Sequence, residues 1–205
     1  MTDLILTPLL TLAVAYLLGS LPSGYLAARW LKGVDIRTLG SGSTGATNVL
    51  RHVGKGPALG VFLVDVLKGT CAVLLAKELG LNDWWVVAAG LAALAGHIWP
   101  LWLGWKGGKA VATGLGMLLG LVPAVGLACF GLFLAVLSLS RIVSLSSVVA
   151  AIGLPVLMQL AMPGRTAYLT VALVAMVLVL WRHRSNLQRL AAGQEPRLGD
   201  NKAKG

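Results

Sequence analysis

The chain has 205 residues, 57% of them hydrophobic and only 12% charged. Soluble domains carry about a quarter charged residues, so a mean hydropathy of +0.83 excludes a water-soluble globule and predicts one compact all-α domain, residues 1–205, embedded in a membrane. The net charge of +10 could suggest nucleic acid, but in so apolar a chain cytoplasmic loops and anionic ligands account for it better.

Seven apolar segments follow one another, at about 4–29, 57–77, 84–103, 110–121, 124–140, 144–162 and 166–182. Most approach the ~20 residues that a membrane-spanning helix needs. No Lys or Arg precedes the first segment, so it does not read as a cleaved signal peptide. Between the first and second lies Gly40-Ser-Gly-Ser-Thr-Gly-Ala-Thr-Asn-Val-Leu-Arg51. Gly40, Gly42 and Gly45 let the backbone turn tightly around an anion. Ser41, Ser43, Thr44, Thr47 and Asn48 add donors, and the Arg51 guanidinium is a fork suited to phosphate. The spacing Gly-x-Gly-x-x-Gly is also that of dinucleotide-binding folds, but these need a preceding strand, and here a membrane helix precedes it.

The second segment carries Asp65 and Lys68 at i, i+3. Charges inside a bilayer are costly and usually paired, so these two read as a mutual or motif-bridging pair. The third segment carries His97, a lone histidine of structural character, and leads into Gly104-Trp-Lys-Gly-Gly-Lys109. This is not a nucleotide-binding P-loop: the glycine spacing is one residue short, and Ala110 stands where Ser or Thr would bind magnesium. Gly107 and Gly108 before a helix are expected to offer N–H groups to a phosphate, with Lys109 as a point charge.

Pro123 separates the fourth segment from the fifth, which ends at Arg141-Ile-Val-Ser144-Leu-Ser-Ser147. The last segment runs into Trp181-Arg-His183-Arg-Ser-Asn186-Leu-Gln-Arg189, where His183, Asn186 and Arg189 recur every three residues on one helix face. From about 191 the tail is polar and predicted to be mobile.

Basic residues set the topology. With seven transmembrane helices and the N-terminus outside, fourteen of the 17 Lys and Arg residues fall in inner loops, Lys77 and Arg165 outside, and Lys68 within a span. Fusing the fourth and fifth segments would put Arg141 and the basic tail outside. The prediction is a polytopic protein with a cytoplasmic C-terminus and every polar cluster on the cytoplasmic face. Six tryptophans near helix ends, among them Trp30, Trp84 and Trp181, suit the membrane interfaces. Cys71 and Cys129 fall inside apolar segments, where buried free thiols are expected, and their spacing fits no metal or disulfide framework.

The four clusters, in this order and spacing, resemble the bacterial acylphosphate:glycerol-3-phosphate acyltransferase family, from Gly19-Ser-Leu-Pro-Ser-Gly24 to Gly193-Gln-Glu195. The resemblance implies a seven-helix enzyme of the cytoplasmic membrane, its active site facing the cytoplasm, with neither metal nor cofactor. It would move a fatty acyl group from acyl phosphate to the 1-hydroxyl of glycerol 3-phosphate, the first acylation of phospholipid synthesis, giving lysophosphatidic acid and phosphate. Its partners would be these substrates, membrane lipid and the enzyme that makes acyl phosphate. Carried over residue by residue, the catalytic positions match Ser41, Arg51, His183 and Asn186. The substrate-binding positions match Gly42, Gly45, Thr47, Asn48, Gly107, Gly108, Lys109, Arg141 and Ser147, with Ser144 close to the last, and the final glutamate matches Glu195. Ser43 stands where many relatives have Asn.

The alternative is a transporter of small anions or lipid phosphates, but only Asp65, Lys68 and His97 lie clearly within spans. An alcohol phosphotransferase would need clustered aspartates for metal, and the seven acidic residues are scattered. The His-x4-Asp dyad of the second class of glycerol phosphate acyltransferases is missing, so no strong general base is evident; an acyl phosphate has a good leaving group and demands less of one.

Overall fold

Pro22 divides the first apolar stretch. The sequence predicts one helix over 4–29; the computed structural model, which describes residues 2–200, has α1 (Thr2–Ser20) and α2 (Ser23–Lys32) instead. The residue before a proline disfavours helical dihedrals, so Leu21 and Pro22 break the rod. α2 ends at Gly33 in the left-handed conformation, with Arg29 and Lys32 in its last turn, where cations suit the helix dipole. A short α3 (Ala46–His52) follows the first glycine loop. Then come α4 (Lys55–Glu78), α5 (Asp83–Ile98), α6 (Val111–Leu121), α7 (Pro123–Ser140), α8 (Val143–Ala161), α9 (Thr166–Arg182) and α10 (Arg184–Ala191). The fourth and fifth apolar segments are thus separate helices, broken at Val122, and Pro123 opens α7, where a missing N–H costs nothing.

The residues form two compact units, Met1–Gly126 and Leu127–Gly205. In the first, α1 packs along α5 and α4 along α6, backbone against backbone. A Cβ on Gly19 would overlap the Ala93 main chain, one on Gly69 the Thr113 carbonyl, and one on Gly116 the Val66 carbonyl. Small residues at crossings are how helices associate in lipid, where burial of apolar surface gives no advantage between them. Side chains then fasten the seams: Tyr16 Oη donates to the Trp99 carbonyl at 2.7 Å and Thr70 Oγ1 to the Gly116 carbonyl at 2.9 Å. Lys77 Nζ caps the C-terminus of α6 through the Gly120 and Leu121 carbonyls. In the second unit α8 packs along α9, and α10 touches both.

The outward faces are apolar: Leu6, Leu10, Leu63 and Leu67 are exposed on α1 and α4. Cys129 is buried, but Cys71 sits on the exposed side of α4, which corrects the expectation of two buried thiols. Among the described residues five stretches are long and apolar enough to cross a membrane, or six if α9 and α10, bent by 59°, count as one span. α6, with 11 residues, rises only about 16 Å against a hydrocarbon core of ~30 Å.

Candidate active site

The first loop is built around Asn48. Its buried side-chain amide donates to the carbonyls of Ile36, Leu39 and Ser43 at 2.9–3.1 Å, and its Oδ1 accepts from the Ser41 N–H at 3.4 Å. Gly40 and Gly42 take φ of +54° and +67°, which only glycine adopts without strain. Gly45 N–H is held by Ser43 Oγ and opens α3, which carries Arg51 outward in its last turn. Ser41 is exposed and Thr47 half-buried, while Thr44 is buried with its carbonyl against Gly24, where a Cβ would have no room.

The loop is stapled to the second cluster by a residue that sequence reasoning passed over. Arg37 forks onto Asp35, with Nη2 2.7 Å from Oδ2, stacks over the Tyr25 ring, and donates from Nη1 to the Leu103 carbonyl at 3.0 Å. The guanidinium hydrogen bonds hold the Asp35 carboxyl below the usual range and raise the arginine in turn. The signal for Arg37 was a basic residue two positions after an acid; its carbonyl partner lies 66 residues on and is invisible to local pattern.

The second cluster corrects an expectation. Gly107 and Gly108 do not present their N–H groups to a ligand. Gly107 N–H donates to the Ile98 carbonyl and Gly108 N–H to the His97 carbonyl, each at 3.1 Å, and both glycines are buried. Glycine is needed because a Cβ on Gly107 would strike the His97 carbonyl and Pro100, and one on Gly108 the His97 imidazole. Trp105 and Ala110, neither of them glycine, take φ of +65° and +58°, a conformation costing roughly 1–2 kcal/mol each. The N–H groups of the first turn of α6 follow directly, with half-buried Lys109 two positions before Val111.

Beneath this loop lies the charged interior of the first unit. Asp65 Oδ1 accepts from Ser23 Oγ at 2.7 Å and pairs with Lys68 Nζ at 2.8 Å, and His97 Nδ1 is 3.7 Å away. Lys68 Nζ also donates to the Leu21 carbonyl at 3.3 Å, at the Pro22 break. The i, i+3 pair expected from sequence is present, and it also bridges α4 to α2 and α5.

In the second unit the organising group is Glu195. Its Oε1 accepts from Ser144 Oγ at 2.7 Å and Asn186 Nδ2 at 2.5 Å, and its Oε2 from Arg189 Nε at 2.8 Å. Burial pushes this carboxyl up, but the Asn186, Ser144 and Arg189 hydrogen bonds outweigh it and hold it below the ordinary glutamate value. Ser147 is buried, and its hydroxyl donates to the Val143 carbonyl of its own helix at 2.9 Å. Arg141 takes φ of +61° between α7 and α8 and accepts at its carbonyl from Leu198 N–H. The tail predicted to be mobile from about 191 is therefore tied through Glu195 and Leu198; residues 201–205 of that prediction lie outside the described residues. His183 is buried at the bend between α9 and α10, its Nδ1 2.8 Å from the Val179 carbonyl. A carbonyl only accepts, so Nδ1 carries the hydrogen of this contact.

Comparison with known proteins decides the family. Residues 9–193 match the model of a family described as glycerol-3-phosphate acyltransferase. The chain belongs to the glycerol-3-phosphate acyltransferase family. A glycerol-3-phosphate acyltransferase of Synechococcus sp. (strain CC9902) is 74% identical over 197 residues, 96% of this chain and 98% of the relative. One of Prochlorococcus marinus (strain MIT 9313) is 73% identical over 195 residues, 94% of this chain and 96% of the relative. The crystal structure of PlsY (YgiH), an integral membrane glycerol 3-phosphate acyltransferase, in its glycerol 3-phosphate form superposes with a TM-score of 0.89 at 41% identity, over 94% of this chain and 96% of that one. Its lysophosphatidic acid form gives 0.87 at the same identity and coverage.

The chain is accordingly a membrane acyltransferase with several spans. Within it, Ser41, Gly42 and Gly45 share one loop braced by Asn48, which lies with Thr47 and Arg51 on α3, and Gly107, Gly108 and Lys109 form a second loop stapled to the first by Arg37. In the second unit Asn186 and Ser144 both donate to Glu195, while Ser147 bonds within α8. No group of three or more His, Cys, Asp or Glu able to hold a metal ion occurs among the described residues.

Proposed function

We propose that this acyltransferase moves a fatty acyl group from acyl phosphate to the 1-hydroxyl of glycerol 3-phosphate, as the first acylation of phospholipid synthesis. The observation that carries the reading is the 41% identity, over 94% of the chain, to a structure solved in glycerol 3-phosphate and lysophosphatidic acid forms. The donor rests on the sequence resemblance and on chemistry. Without a His-x4-Asp dyad the site suits a mixed anhydride, whose phosphate leaves readily.

In this reading the 1-hydroxyl oxygen attacks the acyl carbonyl carbon. A new ester C–O bond forms, the bond from that carbon to the bridging phosphate oxygen breaks, and phosphate leaves with the electron pair. Ser41 donates a hydrogen bond and Arg51 a guanidinium fork to the donor phosphate, balancing charge that develops on it. Ser41 acts as donor rather than nucleophile, because the reactive acyl phosphate needs no acyl-enzyme; the His52 imidazole nearby lies against Gly40, with Nδ1 on the Asn48 carbonyl. Gly42 and Gly45 shape that loop, Asn48 braces it, and Thr47 adds a donor. Lys109 and the first turn of α6 take the acceptor phosphate, as a helix N-terminus suits an anion; Gly107 and Gly108 set the loop against α5. Arg141 adds positive charge, and Ser147, with Ser144 close, is assigned through the resemblance. The resemblance assigns the hydroxyl proton to His183, with an acceptor phosphate oxygen as the competing base, and a catalytic part to Asn186. The membrane is the source of the acyl chain's apolar surroundings, and the enzyme that makes acyl phosphate is the expected partner.

The expected topology has seven crossings, the N-terminus outside and all four clusters at the cytoplasmic face of the cytoplasmic membrane. Single cysteines at Lys55, Lys106 and Ser185, in a chain lacking Cys71 and Cys129, should be labelled in intact cells only by a membrane-permeant reagent, and one at Arg165 by an impermeant one. Impermeant labelling at Lys106 or Ser185 would contradict this arrangement. The reaction itself is tested with purified protein, palmitoyl phosphate and labelled glycerol 3-phosphate. One lysophosphatidic acid should form for each phosphate released; phosphate release without acylated product would make the protein a hydrolase and refute the reading.

A further inference from the structure

Asp65, Lys68 and His97 take part in none of the steps above, although each is buried. A buried ion pair is a weak source of stability, and apolar residues of the same volume often serve packing as well. What these groups touch suggests another use. His97 grips Gly108 twice. Its main-chain carbonyl accepts the Gly108 N–H at 3.1 Å, and its imidazole fills the space a Cβ on Gly108 would need, with Nε2 nearest. The other ring nitrogen, Nδ1, lies 3.7 Å from Asp65 Oδ1, and that oxygen is itself fixed by Ser23 Oγ and Lys68 Nζ. The ring stands between an anchored carboxylate and the glycine before Lys109.

The loop needs such a support. Trp105 and Ala110 hold left-handed conformations on either side of the two glycines, and strained backbone persists only where its surroundings over-determine it. We propose that Asp65 and His97 are positioning residues for the acceptor-phosphate loop: the carboxylate sets the imidazole, the imidazole sets Gly108, and Gly108 sets the direction of Lys109 and of the first turn of α6. Lys68, tied to the Leu21 carbonyl at the Pro22 break, holds the carboxylate in place at 2.8 Å. The proposal rests on the reading of residues 107–109 as the glycerol 3-phosphate loop.

The test separates the substrates. KM for glycerol 3-phosphate and for palmitoyl phosphate are measured independently in His97→Ala, in His97→Gln, and in the double variant Asp65→Asn/Lys68→Met, which removes both buried charges together. Thermal unfolding in detergent is followed in parallel. His97→Ala is expected to raise the acceptor KM roughly tenfold, with the donor KM changed by less than about twofold. His97→Gln, whose flat amide refills part of the space, should recover part of that loss, and the double variant should shift the acceptor KM in the same direction. An unchanged acceptor KM in folded His97→Ala, or a loss in both substrates that merely follows the fall in melting temperature, would overturn the proposal. Gly108→Ala and Lys109→Ala distinguish the two levels. If they raise the acceptor KM and the His97 variants do not, the positioning pair alone is wrong; if they too leave it unchanged, the loop assignment fails and the pair with it.

Discussion

Asn48 illustrates how one side chain can hold a loop from inside. Its Nδ2 donates toward three carbonyls and its Oδ1 accepts an N–H, so its own capacity is spent on the backbone and little remains for substrate. Asn48→Asp should therefore be worse than Asn48→Ala, because a carboxylate cannot donate and would face three carbonyl oxygens. The alanine variant should lose about 1–3 kcal/mol, and the aspartate more, in thermal unfolding; equal effects would mean that the three donations carry no weight. Glu195 has a matching role in the second unit. Glu195→Ala leaves Ser144, Asn186 and Arg189 without their acceptor and should cost about 2–3 kcal/mol. Its depressed titration gives a pH signature. Because the folded carboxyl titrates below its ordinary value of 4.5, its contribution is complete above that value and is lost as pH falls through the lower folded one. The stability gap between the native chain and Glu195→Gln should thus be constant near neutrality and shrink only in acid; a gap that narrows between pH 8 and 6 would point to another group.

At the scale of elements, α6 is the most exacting helix of the first unit. Gly116 lies against the Val66 carbonyl of α4, whereas Gly114, one half-turn earlier, has nothing within 4 Å of where its Cβ would stand. The two positions make a controlled comparison. Gly116→Ala must separate the backbones and should cost about 1–3 kcal/mol. Gly114→Ala only removes chain freedom from the unfolded state and should be neutral or gain up to about 1 kcal/mol. If both variants melt alike, close backbone approach does not hold α4 and α6 together. Because α6 starts two residues after Lys109, Gly116→Ala should also raise the acceptor KM, and Gly114→Ala should not.

For the molecule as a whole, the sequence made the apolar segments legible because a bilayer imposes length and composition directly, and Pro123 marked the start of α7. The break at Pro22 went unread, since Leu4–Ala28 carries no charge and hydropathy does not sense dihedral preference. The Asp65–Lys68 pair could be read because i, i+3 neighbours meet on any helix. Arg37 to Leu103 and His97 to Asp65 could not, because they join residues far apart in the chain. The glycines of residues 107–108 were found for a reason that the geometry revises: they admit the His97 ring and the α5 carbonyls, and their N–H groups are already spent. Ser144 and Ser147 were indistinguishable by spacing, and the hydroxyl that reaches Glu195 is that of Ser144. The central claim remains the chemistry of the donor, and one side-by-side assay tests it most directly. Purified protein with labelled glycerol 3-phosphate is given palmitoyl phosphate or palmitoyl-CoA at equal concentration. The account predicts lysophosphatidic acid from palmitoyl phosphate and little or none from palmitoyl-CoA; efficient acylation from the thioester would contradict it, because a site without a strong base would then be activating the poorer leaving group.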